Sequence, residues 1–170
     1  IGNRSSGKMG RALACEALKR GAHVTAVTGP AEVPLPEDAE TIPVETAAQM
    51  QQTIEHIAPH ADIIIGAAAV ADYRVQDAAT QKRKRGQGDV ALTLVENPDI
   101  IAGVAASRRP GQVIVAFAAE THDLIENALA KLHRKGVDII VANQIGGDES
   151  AFASEQLYAS ILLNDAPPPA

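Results

Sequence analysis

With 170 residues, 46% of them apolar and mostly Ala, Val, Ile and Leu, the chain has the material for one domain with a buried core. Four aromatic residues (Tyr73, Phe117, Phe152 and Tyr158) and a formal net charge of −6 argue against a nucleic-acid surface, while a small anionic ligand stays open to local helix termini and a few lysines. One cysteine, Cys15, excludes a disulfide framework, and no apolar run approaches the ~20 residues of a membrane span, so a cytoplasmic protein with no nucleic-acid or membrane partner is expected.

The chain opens on Gly2-Asn3-Arg4-Ser5-Ser6-Gly7-Lys8-Met9-Gly10, a Gly/Ser turn feeding the apolar-periodic run Ala12 to Leu18. Such a turn aims free backbone N–H groups at one point, with the positive end of the helix dipole behind them, and so attracts phosphate. The plainer reading is a turn required only for tight helix–strand packing. Gly2 and Gly7-Lys8 match a P-loop, but Met9 stands where that motif needs a hydroxyl for Mg²⁺. Cys15, on the apolar side of the helix, reads as a packed thiol rather than a nucleophile.

A strand follows over His23–Val27 and runs into Thr28-Gly29-Pro30, without the acid that an NAD site places there to hold ribose hydroxyls. After a Pro-rich loop from Pro30 to Pro36, a short strand near Thr41–Val44 leads to Thr46, which caps a helix through Ile57. Asp62 to Gly66 is a continuous apolar run of the kind a strand buried on both faces shows. Asn97-Pro98-Asp99 reads as N-cap, proline at the first helical position and an acid in the first turn, opening a helix to about Ala106. Strand Gln112–Phe117, a helix from about Asp123 to Lys135 ended by Gly136, strand Val137–Val141 and a last strand-like run, Gln156 to Leu163, complete the chain.

This alternation predicts an α/β, Rossmann-like three-layer fold with a mainly parallel sheet and helices on both faces. Ligands collect outside the carboxyl ends of such strands. Gly66-Ala67-Ala68-Ala69-Val70-Ala71-Asp72, Phe117-Ala118-Ala119-Glu120-Thr121 and Ala142-Asn143 all stand there, with small residues that let a ligand approach the backbone. Tyr73 to Asp89 interrupts the pattern with the basic run Gln81-Lys82-Arg83-Lys84-Arg85-Gly86-Gln87-Gly88, which reads either as a solvated loop or as a basic flap over the strand ends.

Taken in order, Asn3-x-Ser5-Ser6-Gly7-Lys8-Met9-Gly10, Gly29-Pro30, Ala68 to Tyr73, Lys82-x-Lys84, Asn97-Pro98-Asp99-Ile100 and Phe117 to Thr121 resemble the phosphopantothenoylcysteine synthetase domain of bacterial bifunctional coenzyme A biosynthesis proteins. The resemblance runs from residue 1 to about 165. It implies a single nucleotide-binding ligase domain over residues 1–170, without the N-terminal strand and the C-terminal tail that family members carry. The implied reaction activates 4′-phosphopantothenate with CTP as an acyl-cytidylate and joins it to L-cysteine with release of CMP. Mg²⁺ accompanies the nucleotide, and the family is homodimeric.

By the same resemblance Asn3 handles the acyl-cytidylate and Lys82 its turnover. Gly66, Ala67, Ala68 and Asp72 match the nucleotide-binding strand end, with Pro98, Asp99, Ile100, Ile101 and Phe117 around the nucleotide. Lys131 and Lys135, one helical turn apart, match its cationic contacts, although from spacing alone they are an ordinary solvated face. Ser5, Ser6 and Gly7 would hold phosphate. Arg83 and Arg85 make the flap more basic than a Lys-x-Lys-Lys pattern. Two other readings are an NAD(P)-binding Rossmann oxidoreductase, disfavoured by the missing acid and the lack of a Tyr-x-x-x-Lys pair, and a catalytically inactive nucleotide-binding domain.

Overall fold

A computed structural model of the protein describes residues 5–78, 89, 91–144 and 158–164. Along the chain come α1 (Lys8–Lys19), β1 (Thr25–Thr28), β2 (Glu40–Pro43), α2 (Ala47–Ile57), β3 (Ile63–Gly66), β4 (Tyr73–Val75), β5 (Leu94–Glu96), α3 (Ile100–Ala106), β6 (Val113–Glu120), α4 (Leu124–Lys135), β7 (Ile139–Gln144) and β8 (Ala159–Leu163).

Local chemistry sets the helix ends. At the start of α2, Thr46 Oγ1 accepts the Gln49 N–H at 3.1 Å while Gln49 Oε1 accepts the Thr46 N–H at 3.0 Å. This reciprocal box satisfies two N–H groups that the first helical turn leaves unpaired. Helix α4 stops at Gly136, whose φ of 64° is open to glycine at no steric cost. The opening of α3 differs from expectation: Asp99, not Asn97, is the N-cap, its Oδ1 accepting the Ala102 N–H at 3.1 Å, and Pro98 lies ahead of the helix. Asn97 is engaged elsewhere, donating from Nδ2 to Ala71 O at 2.8 Å.

Strands β3, β6 and β7 pair in parallel, with Gly66 opposite Ala116 and Glu120 opposite Gln144, and β8 closes the row antiparallel to β7. The class is therefore α/β with a mainly parallel sheet, as expected. A two-stranded parallel sheet, β1 with β2, and an antiparallel pair, β4 with β5, stand apart from it. The β4–β5 pair corrects the expectation of an irregular segment beginning at Tyr73. Its short alternating runs, Tyr73-Arg74-Val75 and Leu94-Val95-Glu96, are too brief to announce strands without their partner.

Alternate residues of the four-stranded sheet, among them Ile64, Ile114, Ala116, Ala118, Ile140 and Ala142, meet Val104 and Ala105 of α3 and Ala128 and Leu132 of α4. Ile114, Leu132 and Ile140 are fully buried, and each contributes about 1.5–3 kcal/mol by leaving water. Helical cover is seen on this face. The other face exposes Ile63 (61%), Ile65 (42%), Ile161 and Leu163. The run through Ile63-Ile64-Ile65 is therefore buried on one face and not on both. The reason is that only Ile64 turns toward the helices, while Ile63 and Ile65 point to the face that no described helix covers.

Candidate functional site

Gly66 ends β3 on the helix-covered face, and a Cβ built there would collide with Ile101 Cγ1 of α3. The glycine thus lets the start of α3 lie against the strand end. This bland packing role accompanies whatever approach it gives a ligand. Beyond it, Ala67 is half-buried and Ala68 and Asp72 are exposed, with Asp72 O accepting the Asn97 N–H at 2.7 Å.

The same packing brings Asp99 to the rim. Besides capping α3, its Oδ2 accepts from Lys135 Nζ at the end of α4. Burial pushes this carboxyl upward in pKa, but the Lys135 and Ala102 hydrogen bonds and the charges of Lys135 and Arg134 outweigh it, leaving Asp99 below the usual carboxylate value. One turn earlier on α4, Lys131 Nζ stands 2.6 Å from Glu120 Oε1 at the end of β6. The Glu120 side chain is 12% exposed and that of Lys131 32% exposed. Oε1 receives no aligned hydrogen bond and is shut off from solvent, so the contact is one of charge with charge.

Gly66, Asp99, Ile100, Ile101, Lys131 and Lys135 therefore gather where the C-terminal strand ends meet α3 and α4, with Pro98 exposed just before them. The lysines are not the freely solvated pair that their spacing alone suggests. Phe117 departs from the group: strand alternation sends it to the face opposite Ala116, Ala118 and Glu120. Ser5, Ser6 and Gly7 belong to another set, beside the β1 end. Ser6 O accepts the Val33 N–H at 3.0 Å, and a Cβ on Gly7 would meet Ala31 Cβ at 2.8 Å. Ser5 Oγ accepts the Gly7 N–H at 3.3 Å and Ser6 Oγ accepts the Lys8 N–H at 3.4 Å, long bonds that leave these donors loosely held. Asn3 and Lys82 lie outside the described residues.

Glu120 is the rim residue to which the sequence assigned no role. An acid directly after the small-residue run of a buried strand is its one sequence signal, and its partner eleven positions later is set only by how α4 packs. At the base of the β4–β5 arm, Arg74 Nη1 donates to Glu96 O at 2.7 Å and to Asn97 Oδ1 at 3.2 Å, fixing the two ends of the segment that includes Lys82. No group of three or more His, Cys, Asp or Glu side chains suited to a metal stands among the described residues, and no described helix is long and apolar enough to cross a membrane.

Residues 1–167 match the family model of the DNA/pantothenate metabolism flavoprotein C-terminal domain. The coenzyme A biosynthesis bifunctional protein CoaBC of Escherichia coli strain K12 is 43% identical over 168 residues, covering 97% of this chain and 41% of that protein. CoaBC of Mycobacterium bovis is 44% identical over 176 residues, covering 97% and 42%. The chain thus spans about two fifths of the length of these relatives. The crystal structure of the C-terminal domain of CoaBC superimposes with a TM-score of 0.73 at 31% identity, over 95% of this chain and 76% of that one.

Proposed function

We propose that this chain, which belongs to the DNA/pantothenate metabolism flavoprotein C-terminal domain family, is the phosphopantothenate–cysteine ligase part of a coenzyme A biosynthesis protein, and that it uses CTP. The observation that carries the reading is the rim itself: two lysines of α4 drawn by acids onto the ends of β6 and the start of α3, beside the small residues that follow β3. Relatives named for coenzyme A biosynthesis, matched over nearly the whole chain, support it.

The chemistry follows from the weakness of a carboxylate as an acyl donor, since oxide is not a viable leaving group. A carboxylate oxygen of 4′-phosphopantothenate attacks the α-phosphorus of CTP. The new O–P bond replaces the bond to the bridging oxygen, and pyrophosphate leaves. The cysteine amine nitrogen then attacks the acyl carbon, the acyl C–O bond breaks, CMP departs and the nitrogen loses a proton.

Negative charge gathers on the departing pyrophosphate, where Lys131 and Lys135 offset it. The N–H groups of the Ser5-Ser6-Gly7 turn hold phosphate at the start of α1. Asn3, by resemblance, stabilises the acyl-cytidylate through an amide that both donates and accepts, and Lys82 supplies charge over the phosphates. Mg²⁺, by resemblance, arrives on the CTP phosphates as part of the substrate. A cytoplasmic homodimer completes the proposal.

The test is pyrophosphate release from CTP with 4′-phosphopantothenate, with and without cysteine, against ATP as the competing nucleotide. Release with CTP supports the activation half-reaction. A folded protein that releases none overturns it.

A further inference from the structure

We propose that Glu120 is a positioning residue for Lys131, fixing its ammonium at the strand-end rim for the phosphates of the ligand and acting on that ligand only through the lysine; the identification of the ligand rests on the ligase reading above. Glu120 is the last residue of β6 and shares the helix-covered face with Ala116 and Ala118. Its carboxylate is mostly withdrawn from water, and the solvent-inaccessible oxygen faces Lys131 at 2.6 Å. As a purely stabilising device the arrangement is poor. Taking two charges out of water consumes most of what their attraction returns, and an apolar pair of similar volume would pack there at no such cost.

As a device for placing an ammonium it is effective. A lysine carries three N–H donors on a flexible four-carbon stem. Glu120 engages the head through one oxygen and leaves donors for a second anion. It also removes stem freedom before that anion arrives, which lowers the ordering cost of binding. The construction occurs twice. Lys135, four residues on and hence on the same helix face, is held by Asp99, whose other oxygen is committed to the Ala102 N–H. The two stems leave α4 about 6 Å apart along its axis, one turn from each other, so both lysines can serve one extended anion such as a chain of phosphates.

The proposal makes a prediction opposite in sign to simple charge. If Glu120 merely places a negative charge beside an anion site, removing that charge tightens anion binding. If it positions Lys131, removing it weakens binding, and only while Lys131 is present.

The experiment is a double-mutant cycle on the intact protein, with Glu120→Gln, Lys131→Met and the double variant, reading the Kd for inorganic pyrophosphate by calorimetry at fixed salt. We expect Glu120→Gln to weaken pyrophosphate binding about five- to tenfold and the double variant to bind no more weakly than Lys131→Met alone. Unchanged or tighter binding by Glu120→Gln, losses that multiply in the double variant, or no pyrophosphate binding by the unaltered protein would each overturn the proposal. Thermal unfolding confirms that the variants are folded. Should Glu120→Gln not fold, Glu120→Asp, which keeps the charge and shortens the reach, is expected to show the same direction more weakly, and unchanged binding there overturns the proposal. A parallel assay of pyrophosphate release from CTP separates the two claims. An unaltered protein that binds pyrophosphate but releases none from CTP sinks the ligase reading and leaves the cycle to decide the role of Glu120.

Discussion

Asp138 and Arg108 form the ion pair that ties the start of β6 to the loop after α4, with Arg108 Nη1 donating to Asp138 Oδ1 at 2.6 Å. The second carboxylate oxygen accepts the Ile114 N–H at 2.7 Å, and the guanidinium also donates to the carbonyls of Gly136 and, at 3.3 Å, Ala105. One acid thus joins the start of β6, the end of α3 and the turn after α4. Arg108 is only 10% exposed, so deleting it strands a carboxylate and two carbonyls together. Arg108→Ala is expected to cost about 3 kcal/mol of stability, measured by urea unfolding. An unchanged unfolding midpoint would show that the network carries no net stability.

Gly66→Ala tests the contact between β3 and α3. The added methyl runs into Ile101 Cγ1, so the Ile101 side chain or the start of α3 must shift, and we expect a loss of about 1–3 kcal/mol. On the proposed ligase reading, a shift that carries Asp99 with α3 would weaken nucleotide binding as well. In the Ile101→Ala background the added methyl finds space, and the two substitutions should be markedly non-additive. Strict additivity in the unfolding energies would show that the collision is relieved elsewhere.

The Asp99 carboxyl gives a pH signature. Its folded pKa lies below the ordinary 3.8, because hydrogen bonds from Lys135 and Ala102 and nearby positive charge outweigh the opposing effect of burial. A group with a depressed folded pKa stabilises the fold above its unfolded pKa, and that contribution disappears as pH falls through the folded value. Asp99→Asn keeps an N-cap of equal quality but removes the charge. The variant should therefore be less stable than the unaltered protein at neutral pH, with the gap closing below pH 3.8. A gap that stays constant through acid would mean that the Lys135 pair does not stabilise the fold.

Features decided by neighbours in the chain were legible in the sequence. Thr46 with Gln49 announces a helix start by its own spacing, and Gly136 announces an end. Features decided by distant partners were not. Asn97 and Asp99 are equally good caps by type, and the choice falls to Asp99 because the Asn97 amide donates to Ala71 O, 26 positions earlier. Likewise Ile63-Ile64-Ile65 reads as buried throughout, yet exposure depends on which faces the helices cover. At the rim, the family resemblance nominated Gly66, Asp99, Lys131 and Lys135, whereas spacing alone left the two lysines as a solvated face. Their ion pairs required α4 to be packed on the sheet, which no local pattern encodes.

The turn at the start of α1 separates a backbone phosphate site from a side-chain one. Ser5 and Ser6 hydroxyls accept the Gly7 and Lys8 N–H groups over 3.3 and 3.4 Å, so they compete weakly for donors that an incoming phosphate would take. Gly7 has a φ of 78° and lies against Ala31 and Val33 O, so its backbone position depends on having no side chain. If backbone N–H groups do the binding, Ser5→Ala with Ser6→Ala should change stability by no more than ~0.5 kcal/mol and leave the KM for 4′-phosphopantothenate and CTP within a few-fold. Gly7→Ala, which must move the turn, should cost about 1–2 kcal/mol and raise one of those KM values by at least tenfold. Ala31→Gly then relieves the collision but not the strained φ, so it should restore only part of the loss. The opposite pattern, with the serine pair losing binding and Gly7→Ala retaining it, would assign the phosphate contact to the hydroxyls instead of the backbone.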